Sequence, residues 1–308
     1  MKRFFIIFLL LSLSLNVAGQ NKKFDKILKE VDILENVKNV PFSNFQEFWN
    51  AIVVNNKRID DLKKAAEKNT LAFQAAKKDM SESYPYVQLA IQSQQTFDVK
   101  FVTDTLISHT GIHTMWPKLT LDIVADESAN AYCYPEGQVY ITDALLKATN
   151  YNYEQLLGVF VHECAHVLLL HHYTSALAIQ KKVITNSIVA ASVSAANVAA
   201  TAYAQANGAA DEKSWEKVNE SITQLANAAY DDATHRFRYK YSREQEYEAD
   251  IIAYRFLEWS GLGGESYINV LESIAKDDDL YYSRESDHPK ASDRVALLKY
   301  IASTCPMH

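Results

Sequence analysis

The residues of this chain best suited to chemistry are His162-Glu163-Cys164-Ala165-His166, set inside an apolar stretch that runs from Leu156 to Leu170. On a helix, side chains four apart share a face and stand one turn, about 6 Å, along the axis. Both imidazoles can therefore reach a single Zn2+. Glu163 then lies beside the ion, where its carboxylate can take a proton from water held at the metal and pass it to a leaving amine. The plainer alternative is two core histidines and a surface glutamate. Burying such groups in so apolar a helix is expensive unless they have partners, which favours the metal. The cofactor expected is one Zn2+ per chain.

A catalytic zinc needs a third protein ligand and an open position. His172 stands where the pattern HExxHxxGxxH has its third histidine, but position 169 is leucine, so the helix is expected to continue instead of turning back to the metal. No methionine follows before Met307, so a Met-turn is missing too. His171 and His172 are accordingly read as polar residues at a helix end. A better source is the stretch Ser242-Arg243-Glu244-Gln245-Glu246-Tyr247-Glu248-Ala249-Asp250. Glu246 and Asp250 are four apart on one helical face, with Glu244 and Glu248 on another. Glu246 suits a ligand, and Asp250 suits a carboxylate that accepts a hydrogen bond from a ligand imidazole and fixes its tautomer. Taken alone, the segment also reads as a solvated acidic helix.

HExxH followed by an ExxxD helix resembles the zinc metallopeptidase family that contains HtpX and the CAAX prenyl endopeptidases. Four segments carry the resemblance in order: Asn130-Ala131 with Gly137 and Val139-Tyr140-Ile141; the HExxH helix out to His171; Ser242 to Asp250; and His288-Pro289 with Arg294. They lie within residues 119–301. The resemblance implies a gluzincin with a zincin-like fold, mainly α with a small β-sheet (α+β), in which His162, His166 and Glu246 bind zinc and Glu163 is the general base. It further implies that His288 helps to stabilise the tetrahedral intermediate, and that the strand at Asn130 and Ala131 is an edge on which a polypeptide substrate lies extended. Arg294 is expected with them at the substrate. Without the resemblance, His288 is a turn residue before Pro289 and Arg294 a helix-face cation. An imidazole donor at a developing oxyanion and an unpaired strand edge are both chemically apt for peptide hydrolysis.

The elements that position these residues follow from periodicity. Phe24, Ile27, Leu28, Val31, Leu34 and Val37 mark an amphipathic helix ended by Pro41, and Ser43 with Gln46 resembles a capping box that opens a second long helix to about Lys78. A further helix is expected from Tyr86 to about Ile107, then an irregular link bracketed by Gly111 and Pro117. Leu119, Leu121 and Ile123 alternate with polar residues, and residues 131–134 and 139–141 flank a turn at Pro135-Glu136-Gly137, which predicts a small antiparallel, or at most mixed, sheet. From Thr142 the chain returns to helix. Gly261, Gly263 and Gly264 read as the cap and turn after the ExxxD helix. The organisation expected is 1–19 signal peptide, 20–118 N-terminal helical region and 119–308 catalytic domain, the last including an Ala-rich helical segment at 175–210.

Composition excludes other classes. The 308 residues carry 31 Lys+Arg against 38 Asp+Glu, a net charge of −7, with 48% hydrophobic residues. Such a chain is neither disordered nor a nucleic-acid binder, since that needs a clustered positive field. Three cysteines, Cys133, Cys164 and Cys305, allow at most one disulfide. Lys2 and Arg3, the apolar run at 4–15 and small residues up to Gly19 read as a secretory signal, so the protein is expected to be exported, to the periplasm or outside. No charge interrupts the weakly apolar segment between Val183 and Asp211, which is better suited to packing inside protein than to spanning lipid. Peripheral membrane association stays open. The function expected is a zinc-dependent endopeptidase acting on exported or misfolded envelope proteins; the competing readings are a non-catalytic holdase on the same fold and an integral-membrane protease.

Overall fold

The structure, a computed structural model, describes residues 21–29, 31, 37, 42–54, 56–83, 99–186, 188, 241–275 and 289–306. The signal-peptide reading, the general assignment of His288 and most of the Ala-rich segment fall outside those residues. Two compact units are present, one of residues 1–59, 87–171 and 241–308, the other of residues 60–86 and 172–240. The first unit joins N-terminal residues to those of the 241–308 segment. Aromatic packing gives the reason: Phe42, Phe45 and Phe48 pack on Phe256 and Trp259, and Trp49 donates its indole N–H to Thr110 O at 2.7 Å. N-terminal helices thus share one core with the ExxxD helix.

In the first unit, α1 (21–29) and α2 (Phe45–Val53) precede α3 (Lys57–Glu67), whose first residues belong to this unit. Asn44 caps α2 by accepting from Glu47 N at 3.0 Å, while Glu47 accepts from Ser43 N at 2.8 Å. The long helix expected from Ser43 to Lys78 is instead three helices, α2, α3 and α4 (Leu71–Ser83). Short polar side chains break it. Asn56 Oδ1 accepts from the backbone of Arg58 and Ile59, and Thr70 Oγ1 from Phe73 N, each opening a new helix, with Asn69 left-handed at φ 44° between them. In the second unit α4 buries Ala72, Ala76 and Met80.

The helix expected from Tyr86 is described from Val99 to Thr110 (α5). After Gly111 the chain forms β1 (Thr120–Val124), β2 (Ala131–Cys133) and β3 (Gln138–Thr142), in spatial order β1-β3-β2. β2 pairs antiparallel with β3 across the Gly137 turn, but β1 pairs parallel with β3, so the sheet is mixed and not antiparallel. Alternation is the same for either direction. The direction is set by the loop before β2, where Ser128 N and its hydroxyl bond Asp126 and the chain reverses. Thr142 ends β3 and caps α6 (Asp143–Ala148).

One face of the sheet buries Leu121, Ile123, Val139, Ile141, Ala131 and Cys133; β2 and β3 pack against α7 (Tyr153–Leu168), the helix that carries His162 and His166, and β1 packs against α5. α9 (Arg243–Trp259) and α10 (Glu265–Ala275) pack against α7, and α11 (Ala291–Thr304) against α9 and α10. α7 does not run on to His171. It ends at Leu168, Leu170 adopts φ 52°, and α8 (171–186) begins at once. None of the described helices is long and apolar enough to cross a membrane.

Candidate metal centre and active site

α7 is opened by Asn152, whose side chain accepts from Gln155 N, and every residue from Leu156 to Leu168 is buried. α9 opens with a reciprocal cap: Ser242 N donates to Gln245 Oε1 at 2.8 Å and Gln245 N to Ser242 Oγ at 3.2 Å. Where the two helices meet, His162, His166 and Glu246 come together, each at most 3% exposed. The ε nitrogens of His162 and His166 are 3.1 Å apart, and each lies 3.6 Å from a different oxygen of Glu246. A tetrahedral ion with bonds near ~2.1 Å holds its ligand atoms about 3.4 Å apart, so the three donors have the spacing that zinc requires.

The outer nitrogens of both imidazoles decide their protonation. His162 Nδ1 lies 3.1 Å from Asp250 Oδ1 and 3.0 Å from the Tyr267 hydroxyl, so it carries the proton and donates. His166 Nδ1 lies 2.8 Å from His171 Nδ1, and His171 Nε2 lies 3.2 Å from Glu248 Oε2. A carboxylate accepts, so His171 Nε2 is the protonated one, His171 Nδ1 accepts, and His166 Nδ1 donates. Burial lowers the His171 pKa in spite of Glu248, which keeps this ring neutral. Both ε nitrogens then turn lone pairs inward toward Glu246. Two imidazoles and a carboxylate facing one another at this depth could hold a cation, and this donor set suits zinc.

Each ligand histidine is backed by a carboxylate and an arginine. Behind His162, Asp250 accepts Arg294 through both oxygens, from Nε at 2.9 Å and Nη2 at 2.6 Å, and the Tyr267 hydroxyl donates to Asp250 at 2.8 Å. Burial alone would raise the Asp250 pKa, but Arg294 and the His162 hydrogen bond outweigh it and hold the carboxyl well below the usual carboxylate range. Burial and the Asp250 charge push the Tyr267 hydroxyl well above its ordinary value, so it stays a donor. Behind His166, Glu248 receives Nη1 of Arg58 as well as His171. Gln245 Nε2 holds the His171 carbonyl at 3.1 Å.

The structure brings together His162, His166, Glu246 and Asp250 as their spacing suggested, with Glu163 buried on the same helix. Arg294 is placed elsewhere than expected: its guanidinium is buried on Asp250 and Tyr267, behind His162, because Asp250 is the charge that compensates it. Asn130 and Ala131 sit on β2. Thr142 N donates to Asn130 O and Tyr134 N to Gln138 O, so the alternation of the ladder turns the backbone of Ala131 and Cys133 away from β3. Ala131 N is already capped by Asn130 Oδ1 at 2.9 Å.

Sequence reasoning missed several participants. His171 and Glu248 were assigned to a helix end and to the far face of α9. Tyr267 stood in an unremarked helix, yet it meets α7 at Gly158, where a Cβ would lie 2.8 Å from its ring. That glycine, one turn before His162 in an otherwise bulky helix, was the available signal. Tyr241 stacks on the His166 ring at 3.7 Å, and its hydroxyl lies 3.3 Å from Cys133 Sγ. Burial and then Glu163 push the thiols of Cys133 and Cys164 well above the ordinary value, so both stay protonated. Cys133, Cys164 and Cys305 form no disulfide.

A family model described as peptidase family M48 matches residues 93–302. None of the curated proteins matches the chain.

Proposed function

Since the chain belongs to peptidase family M48, the zinc metallopeptidase family of HtpX and the CAAX prenyl endopeptidases, we propose that it is an exported zinc-dependent endopeptidase that hydrolyses misfolded or unassembled envelope proteins. The convergence of His162 Nε2, His166 Nε2 and Glu246, with both histidines oriented from behind, carries the reading. These three residues would hold one zinc per chain. When bound, the ion supplies a Lewis acid that polarises the scissile carbonyl and makes water acidic enough to deprotonate near neutral pH.

The chain's own groups do the rest. Glu163 takes the proton of the attacking water and returns it to the departing amine. Asp250, Tyr267 and Arg294 fix His162 in one tautomer, and His171 and Glu248 do the same for His166. The outward edge of β2 offers the Ala131 and Cys133 carbonyls to an extended peptide, which recognises backbone in place of sequence and suits unfolded clients. His288, in the HPxxxxR segment, is assigned the donor at the developing oxyanion. Export rests on the basic start, apolar run and small residues of 1–19.

Zinc content and cleavage of an unfolded protein such as casein test this together. The full mature chain is expected to hold one zinc, and Glu163→Gln to keep the metal while losing turnover by about 10^3-fold or more. A parent that stays metal-free after zinc loading sinks the reading. Zinc retained with function unchanged in Glu163→Gln makes the protein a holdase instead.

A further inference from the structure

We propose that Arg58, which lies outside the family match, is a positioning residue of the metal centre, acting through Glu248 and His171 on His166. The inference rests on the zinc reading given above and extends it to a residue that no HExxH or ExxxD pattern contains. The chain of contacts is continuous: Arg58 Nη1 to Glu248 Oε2, Glu248 Oε2 to His171 Nε2 at 3.2 Å, and His171 Nδ1 to His166 Nδ1 at 2.8 Å.

With both rings neutral, proton bookkeeping along it closes in one way. Arg58 donates to Glu248, His171 Nε2–H donates to the same carboxylate, and His166 Nδ1–H donates to the lone pair of His171 Nδ1. This leaves His166 Nε2 as the acceptor nitrogen of its ring, the atom aimed at His162 Nε2 and Glu246. Reversing His171 would set its Nε2 lone pair against the buried Glu248 carboxylate, and reversing His166 alone would set its Nδ1 lone pair against that of His171 Nδ1. Arg58 stabilises that carboxylate, and so the tautomer of both rings.

The backbone supports the assignment. Leu170 holds φ 52°, a left-handed region that a leucine side chain disfavours. Such strain persists where surrounding contacts over-determine it. Here the turn swings His171 back onto His166, and Gln245 fixes the His171 carbonyl at 3.1 Å. Arg58 is itself set by Asn56, whose side chain accepts from Arg58 N at 3.1 Å to open α3. The segment before the family match thus reaches the metal ligand through a built hydrogen-bond chain.

The experiment measures zinc affinity of the full mature chain by chelator competition, with the absorption spectrum of the Co2+-loaded protein as a second readout. Removing an outer partner of a metal ligand commonly weakens binding 10–100-fold. Arg58→Ala is expected to weaken zinc about 10-fold and to alter the Co2+ spectrum. Arg58→Lys should restore most of the affinity, because only one guanidinium nitrogen is used on Glu248. Lys57→Ala, one position away on the exposed face of α3, should change nothing. In a Glu248→Gln background Arg58→Ala should add little, since both act on one chain. Zinc binding by the parent with Arg58→Ala equal to it in affinity and spectrum overturns the relay and leaves the zinc reading standing. A parent that binds no zinc overturns the zinc reading and the relay with it. If Arg58→Ala loses its fold, Arg58→Gln, which keeps the volume, supplies the same comparison.

Discussion

The two ligand histidines are supported in different ways. His162 is backed by Asp250, Tyr267 and Arg294, at most 8% exposed at the side chain among the charged pair and all within the residues of the family match. His166 is backed by His171, Glu248 and Arg58, with an extra imidazole in the chain and an arginine 29% exposed that precedes the match. The first flank is short, dry and bidentate; the second is longer and partly wet. Electrostatic coupling strengthens as water is excluded, so the His162 flank should be the stiffer and the costlier to break. The His166 flank should be the more tunable.

The largest expected effect breaks the stiff flank. Asp250→Ala leaves Arg294 buried without its carboxylate, a loss of about 3–5 kcal/mol in stability, and frees His162 to rotate. Denaturant titration and chelator competition read the two losses, and an Asp250→Ala protein as stable as the parent would remove the distinction between flanks. Glu248→Ala is expected to cost less, roughly 1–3 kcal/mol by the same titration, because Arg58 can turn to solvent. Should Glu248→Ala prove the more damaging, the ranking is inverted.

Two smaller changes sharpen the contrast within the first flank. Gly158→Ala drives a methyl into the Tyr267 ring and is expected to cost about 1–3 kcal/mol in denaturant titration. Tyr267→Phe removes one hydroxyl from between His162, Asp250 and Arg294, with an expected ~1 kcal/mol in stability and a several-fold loss of zinc affinity. If Gly158→Ala weakens zinc as Tyr267→Phe does, the helix contact and the hydroxyl belong to one device. The smallest effect lies in the other flank, where Leu170→Gly relieves the left-handed strain but loosens the unfolded chain, leaving thermal stability within about 1 kcal/mol of the parent.

Much of this site was legible in the sequence. HExxH in an apolar run points to a metal because a helix converts spacing into direction, while Glu246 with Asp250 four apart read as ligand and support only beside the family resemblance. The positions that failed were those where a helix stops. The run from Ser43 to Lys78 lacks proline and glycine, so the breaks at Asn56 and Asn69-Thr70 depend on side chains that cap in preference to continuing. Leu169 and Leu170 look like helix interior, yet the helix ends there. The direction of β1 is invisible to an alternating pattern, since side chains alternate alike in parallel and antiparallel strands.

Sequence by itself determined the histidine pair of HExxH, the helical face it occupies and the mostly helical class, since each follows from residue type and local periodicity. Tertiary structure alone decided what stands behind the donors. Arg294 became the counter-charge of Asp250, Tyr267 reached His162 across Gly158, and His171, Glu248 and Arg58 joined into a chain to His166. These partners are separated from the ligands by up to 105 residues for a single hydrogen bond. No local period encodes such a pairing; it arises when buried polar groups, brought together by packing, must satisfy one another.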